Sequence, residues 1–319
     1  MASPPRYVMH AESQSLRAAL ERLTGEDDNG FFGPGSVTWR VNRESAVFLG
    51  AGRAALLQIA HPWVAAALAH HSNLLHDAIG RFHSTFRVLY TMMFGTRGQA
   101  LAASERLYRR HTSIRGELPN RDHYEANEVA ALRWVYATLV ESAMLAYEFV
   151  LPPLSLSDRE QYYAESGRMA ALFGIPPEAL PESWSAFTAY TAEMCNSEQL
   201  GVDAGALALA RSVLCGVGTW LHPPHWYHAL TAHWMPPRLR AAFELPYTAR
   251  EQQAVDRAAR QLPRLYPYIP VVFRYVGPFR EAKARLRGRA PGVLTRASNR
   301  FWMGQPRLLC TDLDPPPSG

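Results

Sequence analysis

The stretch TRGQALAASERLYRRHTSIRG, Thr96 to Gly116, reads as an amphipathic helix with one histidine set into its apolar face. Leu101, Ser104, Tyr108, His111 and Arg115 step by three and four and so fall on one line, flanked by Ala100, Leu107 and Ile114. Thr96 opens the helix, and Gly116 ends it with Pro119 beyond. A histidine so placed is either a core histidine satisfied by a neighbour or a metal or haem ligand. Spacing alone leaves both readings open.

The segment before it has the same period. From Asp77 to Phe94, Ile79, Phe82, Phe86, Leu89 and Met93 form one apolar stripe, and Gly95 supplies the turn into Thr96. So short a connection predicts antiparallel neighbours. Arg81 and Thr85, four residues apart, share a face beside the stripe. Counted outward from the turn, His111 and Thr85 differ by five residues, about 7.5 Å along the axis. The two helices can therefore present Arg81, Thr85 and His111 to one pocket.

Further upstream, AVFLGAGRAALLQIAHPWVAAALA (Ala46–Ala69) predicts one long helix, with Asn42 as its cap and Glu44 in its first turn. Pro62 should kink it, and His70, His71 and Asn73 should end it. His61, just before the proline, either faces a pocket or caps the carbonyls freed by the kink. Arg53, inside this apolar run, needs an anionic partner. The run is apolar enough to suggest a membrane span, but Arg53, Gln58, His61 and Pro62 favour a buried helix. Peripheral contact of this helix with a membrane surface stays open.

Downstream, helices are expected at Asn127–Val150, Ser157–Phe173, Pro181–Met194, Ala204–Leu214, His225–Trp234, Pro237–Phe243 and Ala249–Leu262. The first of these has Leu132, Val135, Leu139, Ser142, Ala143 and Ala146 as its buried stripe. No series of alternating runs with turn signals predicts a sheet. The expectation is an all-α, single globular domain of about eight to ten helices over residues 39–300. A loosely packed N-terminal extension (1–38, with a short helix at Ser13–Leu23) and a partly disordered tail (301–319) flank it.

Composition narrows the function. Of 319 residues, 48% are hydrophobic and 19% charged, enough for a large core. The net charge of +5 is nearly all arginine, Lys283 being the only lysine, and the arginines are scattered among acids. Nucleic acid is therefore not an expected partner. Cys195, Cys215 and Cys310 lack metal spacing and fit a reducing, cytoplasmic setting, and the N-terminus has no secretory pattern. There is no phosphate-binding glycine loop, no Glu-x-x-His pair and no HExxH motif. One other cluster, LHPPHWYHALTAHW, carries His222, His225, His228 and His233 at spacings that a metal site would use, although Pro223 and Pro224 interrupt it.

The segments GAGRAALLQIAHPWVAAALAHHS, GRFHSTFRVLYTMMFGTRGQA, YRRHTSIRG, WVYATLVESAMLAYE and LSDREQYYAESGRMAALFGIP, taken in order, resemble the rubber oxygenase (latex-clearing protein) and MpaB-type oxygenases. The resemblance covers roughly Trp39–Met194, with weaker likeness to about Leu239. It implies a globin-like haem b pocket in which His111 is the proximal iron ligand, with Arg81 and Thr85 as pocket residues. Arg53 and Arg115 join Arg81 as candidates for the haem propionates. The implied chemistry is activation of dioxygen or peroxide toward a hydrophobic, isoprenoid or lipid-like substrate, with His61, Arg81 and Thr85 as catalytic candidates. Rubber-cleaving members place a lysine between the arginine and the threonine, where this chain has Ser84. Two other readings remain: a haem-binding protein without oxygenase turnover, and a non-haem helical lipid-binding protein.

Overall fold

The computed structural model describes residues 29–72, 74–75, 77–118, 122–215 and 222–308. The expected helix at Ser13–Leu23, the tail TDLDPPPSG, Asn73 and Pro119 lie outside the described residues.

The described chain is all-α apart from one two-stranded hairpin. Helix α1 (Val37–Asn42) is capped by Ser36, and a 3-10 turn follows at Ser45–Gly50. Then come α2 (Ala51–Ile59), α3 (Pro62–His71), α4 (Ala78–Phe94) and α5 (Arg97–Thr112). Strands β1 (Arg115–Glu117) and β2 (His123–Glu125) pair antiparallel. Next are α6 (Val129–Val150), α7 (Leu156–Leu172), α8 (Trp184–Asn196) and α9 (Ala204–Cys215). Helices α10 (His225–Trp234), α11 (Pro237–Ala242), α12 (Ala249–Leu265), α13 (Val271–Arg274), α14 (Gly277–Arg285) and α15 (Val293–Met303) complete the fold.

The helical segments outnumber the eight to ten expected because long apolar runs are broken by identifiable devices. Ala46–Ala69 is three pieces, not one kinked rod. Its first five residues tighten, with Ser45, into the 3-10 turn, and Pro62 takes the first position of a new helix, where its missing N–H costs nothing. Asn42 does not cap this run; it closes α1, donating to Thr38 O (3.0 Å) and Tyr162 OH (3.4 Å). Glu44 is buried as the partner of Arg274 Nε (2.7 Å) rather than sitting in a first helical turn.

Helix α6 is the axis of the molecule. It is long and apolar enough to cross a membrane, yet it is packed on most sides by α1, α2, α7, α8, α12 and the 3-10 turn. Gly50 makes one of these contacts possible: a Cβ there would lie 2.4 Å from the Ser142 carbonyl oxygen. Trp134, fully buried on α6, donates from its ring to Leu57 O (2.8 Å), which fixes α2 against it.

A second core joins the two ends of the described chain. Trp39, Tyr90, Phe94, Phe279, Met303 and Leu308 are buried together with Phe31 and Phe32. The residues before Trp39 are thus packed rather than loose where they are described, with Phe31 O accepting from Arg168 (2.7 Å). The same core takes in Met303 and Leu308, beyond residue 300. Helix α15 lies on α4, where Arg87 donates to Met303 O (3.0 Å) and Trp302 stacks on Phe48 at 3.7 Å.

Candidate functional site

Helix α4 changes character along its length. Tyr90 to Phe94 are buried, whereas every residue from Ala78 to Leu89 is half-exposed, including the apolar Ile79, Phe82, Phe86 and Leu89. A helix laid on a solid core buries one stripe and exposes the other. Here no face of the first three turns is sealed, so the packed side of α4 also borders open space. Asp77 caps this helix by accepting from Gly80 N (2.8 Å). The Gly95 turn and the Thr96–Gln99 capping box then return the chain antiparallel as α5, as the spacing predicts.

His111 lies in the last turn of α5. Its Nδ1 is buried without a hydrogen-bond partner. Burial first, then the charges of Arg81 and Arg110, push its pKa down to about 4, against a smaller opposing effect of the Asn127 amide beside the ring. The imidazole is therefore neutral at pH 7 and keeps a lone pair. Asn127 is itself held by Tyr108 O (3.4 Å) and Thr112 Oγ1 (3.3 Å) of the same helix end.

Arg81 is the neighbour that the spacing predicts. Burial, then the like charge of Arg110, lowers its pKa, and no described carboxylate opposes them. Thr85, one turn further, donates to Arg81 O (3.0 Å), which leaves the lone pairs of its hydroxyl free to accept.

His61 occupies the break between α2 and α3 as the residue before Pro62. Its side chain makes no cap bond, and its Nδ1 is buried without a partner, so the capping alternative is not what the structure contains. Burial lowers its pKa, partly offset by Glu128. Glu128 caps α6, accepting from Ala131 N (2.8 Å). Two imidazoles, each with an unpartnered Nδ1, thus lie near the same helix start, His111 beside Asn127 and His61 within the field of Glu128.

Three other candidates are placed elsewhere. Arg53 is buried, but all three of its nitrogens are engaged: Nη2 with Glu141 (2.7 Å), Nη1 with Ser142 (2.9 Å) and Nε with Trp234 O (3.0 Å). Its anionic partner is the protein's own carboxylate, which leaves no nitrogen spare for a cofactor. Arg115 is off the helix. The helix stops at Thr112, and Arg115 is exposed on β1 opposite Glu125. The histidines of the HPPHWYHALTAH stretch do not converge. His225 pairs with Glu251 (3.1 Å), His228 with Pro223 O (3.0 Å) and His233 with Tyr247 (2.5 Å). No group of three or more metal-capable residues exists among the described residues, His222 included.

Sequence reasoning passed over Glu141, Asn127 and Glu128. Glu141 had a signal: it is the one acid in the middle of the apolar run WVYATLVESAMLAYE, as Arg53 is the one cation in its own run. Asn127 and Glu128 had none beyond an ordinary helix start.

The family model that matches this chain is described as ER-bound oxygenase mpaB/B'/rubber oxygenase, catalytic domain, and it covers residues 39–264. No curated protein and no solved structure matches the chain.

Proposed function

The chain belongs to the MpaB/rubber oxygenase catalytic-domain family, an oxygenase family. On that premise we propose a haem b-dependent oxygenase acting on a hydrophobic, isoprenoid or lipid-like molecule, in which His111 would hold the iron. One observation carries the reading. His111 is held neutral, with its Nδ1 buried and unpartnered, beside Arg81, a half-exposed cation that no described carboxylate faces. The first lacks an electron-pair acceptor and the second lacks an anion. An iron porphyrin supplies both, because its four ring nitrogens leave the protein to provide an axial base and its propionates are carboxylates.

When bound, the haem would supply the oxidation chemistry with dioxygen or peroxide. The residues of this chain contribute the rest. Desolvation keeps the His111 lone pair unprotonated down to about pH 4, so ligation does not compete with protons in the physiological range. Arg81 offers a planar donor fork to a carboxylate. Thr85, beside Arg81 on α4, would offer an acceptor hydroxyl, and His61 would offer a neutral base. Phe82, Phe86 and Leu89 form an apolar wall that suits a hydrophobic substrate and excludes water. Arg53 and Arg115 are left out of the proposed ligand set by their positions.

Purified full-length protein should show a Soret band that shifts on reduction, and His111→Ala should lose or displace it. Protein that neither contains nor takes up haem overturns the proposal. Oxygen consumption with candidate alkenes then separates turnover from haem binding alone.

A further inference from the structure

A cavity of about 90 Å³ lies among α1, the 3-10 turn, α2, α4, α6 and α7. Most of its wall is apolar, and seven polar side chains reach it: Thr38, Asn42, Tyr90, Tyr136, Ser142, Tyr162 and Ser166. Five are satisfied within the protein. Tyr136 and Ser166 bond each other (2.5 Å), Asn42 donates to Tyr162, and Ser142 accepts from Arg53. The remaining two, the Tyr90 hydroxyl and Thr38 Oγ1, have no partner, although both residues are only 2% or less exposed. A buried hydroxyl left unpaired costs about 1–3 kcal/mol, so two lining one apolar cavity point to an oxygen-bearing group as its occupant. Tyr90 is a donor here, since burial raises its pKa well above the usual phenol value.

The cavity is smaller than the roughly 150 Å³ that admits a benzene ring. It therefore takes one end of a molecule rather than the whole. Phe86 and Leu89 belong both to its wall and to the half-exposed length of α4, so it continues the surface that carries Arg81 and Thr85.

We propose that this cavity is the head-group subsite of the oxygenase. It holds the oxygen of an apolar chain or ring bearing a hydroxyl or carbonyl, with Tyr90 and Thr38 as its specificity residues. The inference rests on the oxygenase reading of the neighbouring site. The rise of α4 from Tyr90 back to Thr85 and Arg81 then places the reacting carbon roughly 7–14 Å from that oxygen. A pure hydrocarbon would leave both hydroxyls unpaired, so the subsite discriminates against it.

The test compares binding of decan-1-ol and 1-bromodecane to the full-length protein as purified, in wild type, Tyr90→Phe and Thr38→Val. Wild type should prefer the alcohol. Tyr90→Phe should weaken alcohol binding about tenfold and leave bromodecane unchanged, and Thr38→Val should weaken it about threefold in the same selective way. Equal alcohol affinity in wild type and both variants overturns the subsite, as does equal loss of both probes. A rise in Tm with unchanged alcohol binding identifies an ordinary buried-water site and also overturns it. The Soret band, read on the same samples, separates the two proposals. Its absence removes the haem reading and leaves the binding comparison intact, while flat alcohol affinities beside a normal Soret band remove the subsite alone.

Discussion

Two arginines sit at two helix crossings, Arg53 buried and Arg81 half-exposed, and they are treated in opposite ways. Where α2 crosses α6, Arg53 meets Glu141, Ser142 and a main-chain carbonyl, and Glu141 accepts a further bond from Thr191 (3.1 Å). Where α4 meets α5, the charged or titratable neighbours of Arg81 among the described residues are Arg110 and the neutral His111, whose own Nδ1 lacks a partner. The first crossing is complete in the protein alone. The second is stable only to the extent that the rest of the fold compensates for it, which is the mark of a site built for something else. Buried charge is therefore uninformative about function until its partners are known.

The contrast can be broken most forcefully at the completed crossing. Arg53→Met should destabilise the protein by about 3–5 kcal/mol, because it leaves Glu141 and Ser142 without their donor. Adding Glu141→Leu should recover much of that loss; a double variant as unstable as the sum of two singles would show that the pair is not coupled. The measurement is chemical denaturation.

The next effect is in pH. His111 is held near a pKa of 4 in the folded chain, against about 6.5 when unfolded. Between these values the unfolded state binds a proton that the native state refuses. Stability is therefore full above pH 6.5 and falls as the pH drops toward 4, by up to about 3 kcal/mol, with His61 acting in the same direction. Haem-free His111→Gln should lose most of this slope. An equal slope in the variant would mean that other groups control acid stability.

The smallest effect is expected at the open crossing. Arg81→Met in haem-free protein should change stability by less than about 1 kcal/mol, or raise it, because an unpaired cation is being removed. A loss as large as that of Arg53→Met would mean that Arg81 has a structural partner and would erase the distinction between the two crossings.

Much of this was readable from residue order. The Asp77 cap, the Gly95 turn and the Thr96 start are local signals, and together they place Arg81 beside His111 before any packing is known. The end of α5 was not readable that way. Ile114, Arg115 and Gly116 continue the helical spacing, but the chain turns into a hairpin whose β1 meets β2 across Gly116 and Tyr124, a pairing set by residues further on. The partner of Arg53 was legible only as a demand, and the unpaired state of His61, Arg81, Tyr90 and Thr38 not at all. A missing partner is a property of three-dimensional surroundings, and periodicity carries no record of it.

The C-terminal segment gives the fold a boundary that homology does not. The family match ends at residue 264, yet Met303 O and Phe301 O receive Arg87 and His83 of α4, and Phe279, Met303 and Leu308 fill the core around Trp39 and Phe94. A chain cut where the match stops would lose the outer support of the helix that carries Arg81 and Thr85. The length that the family match covers and the length packed into this core thus differ, and the second includes about forty described residues, 265–308, that the first leaves out.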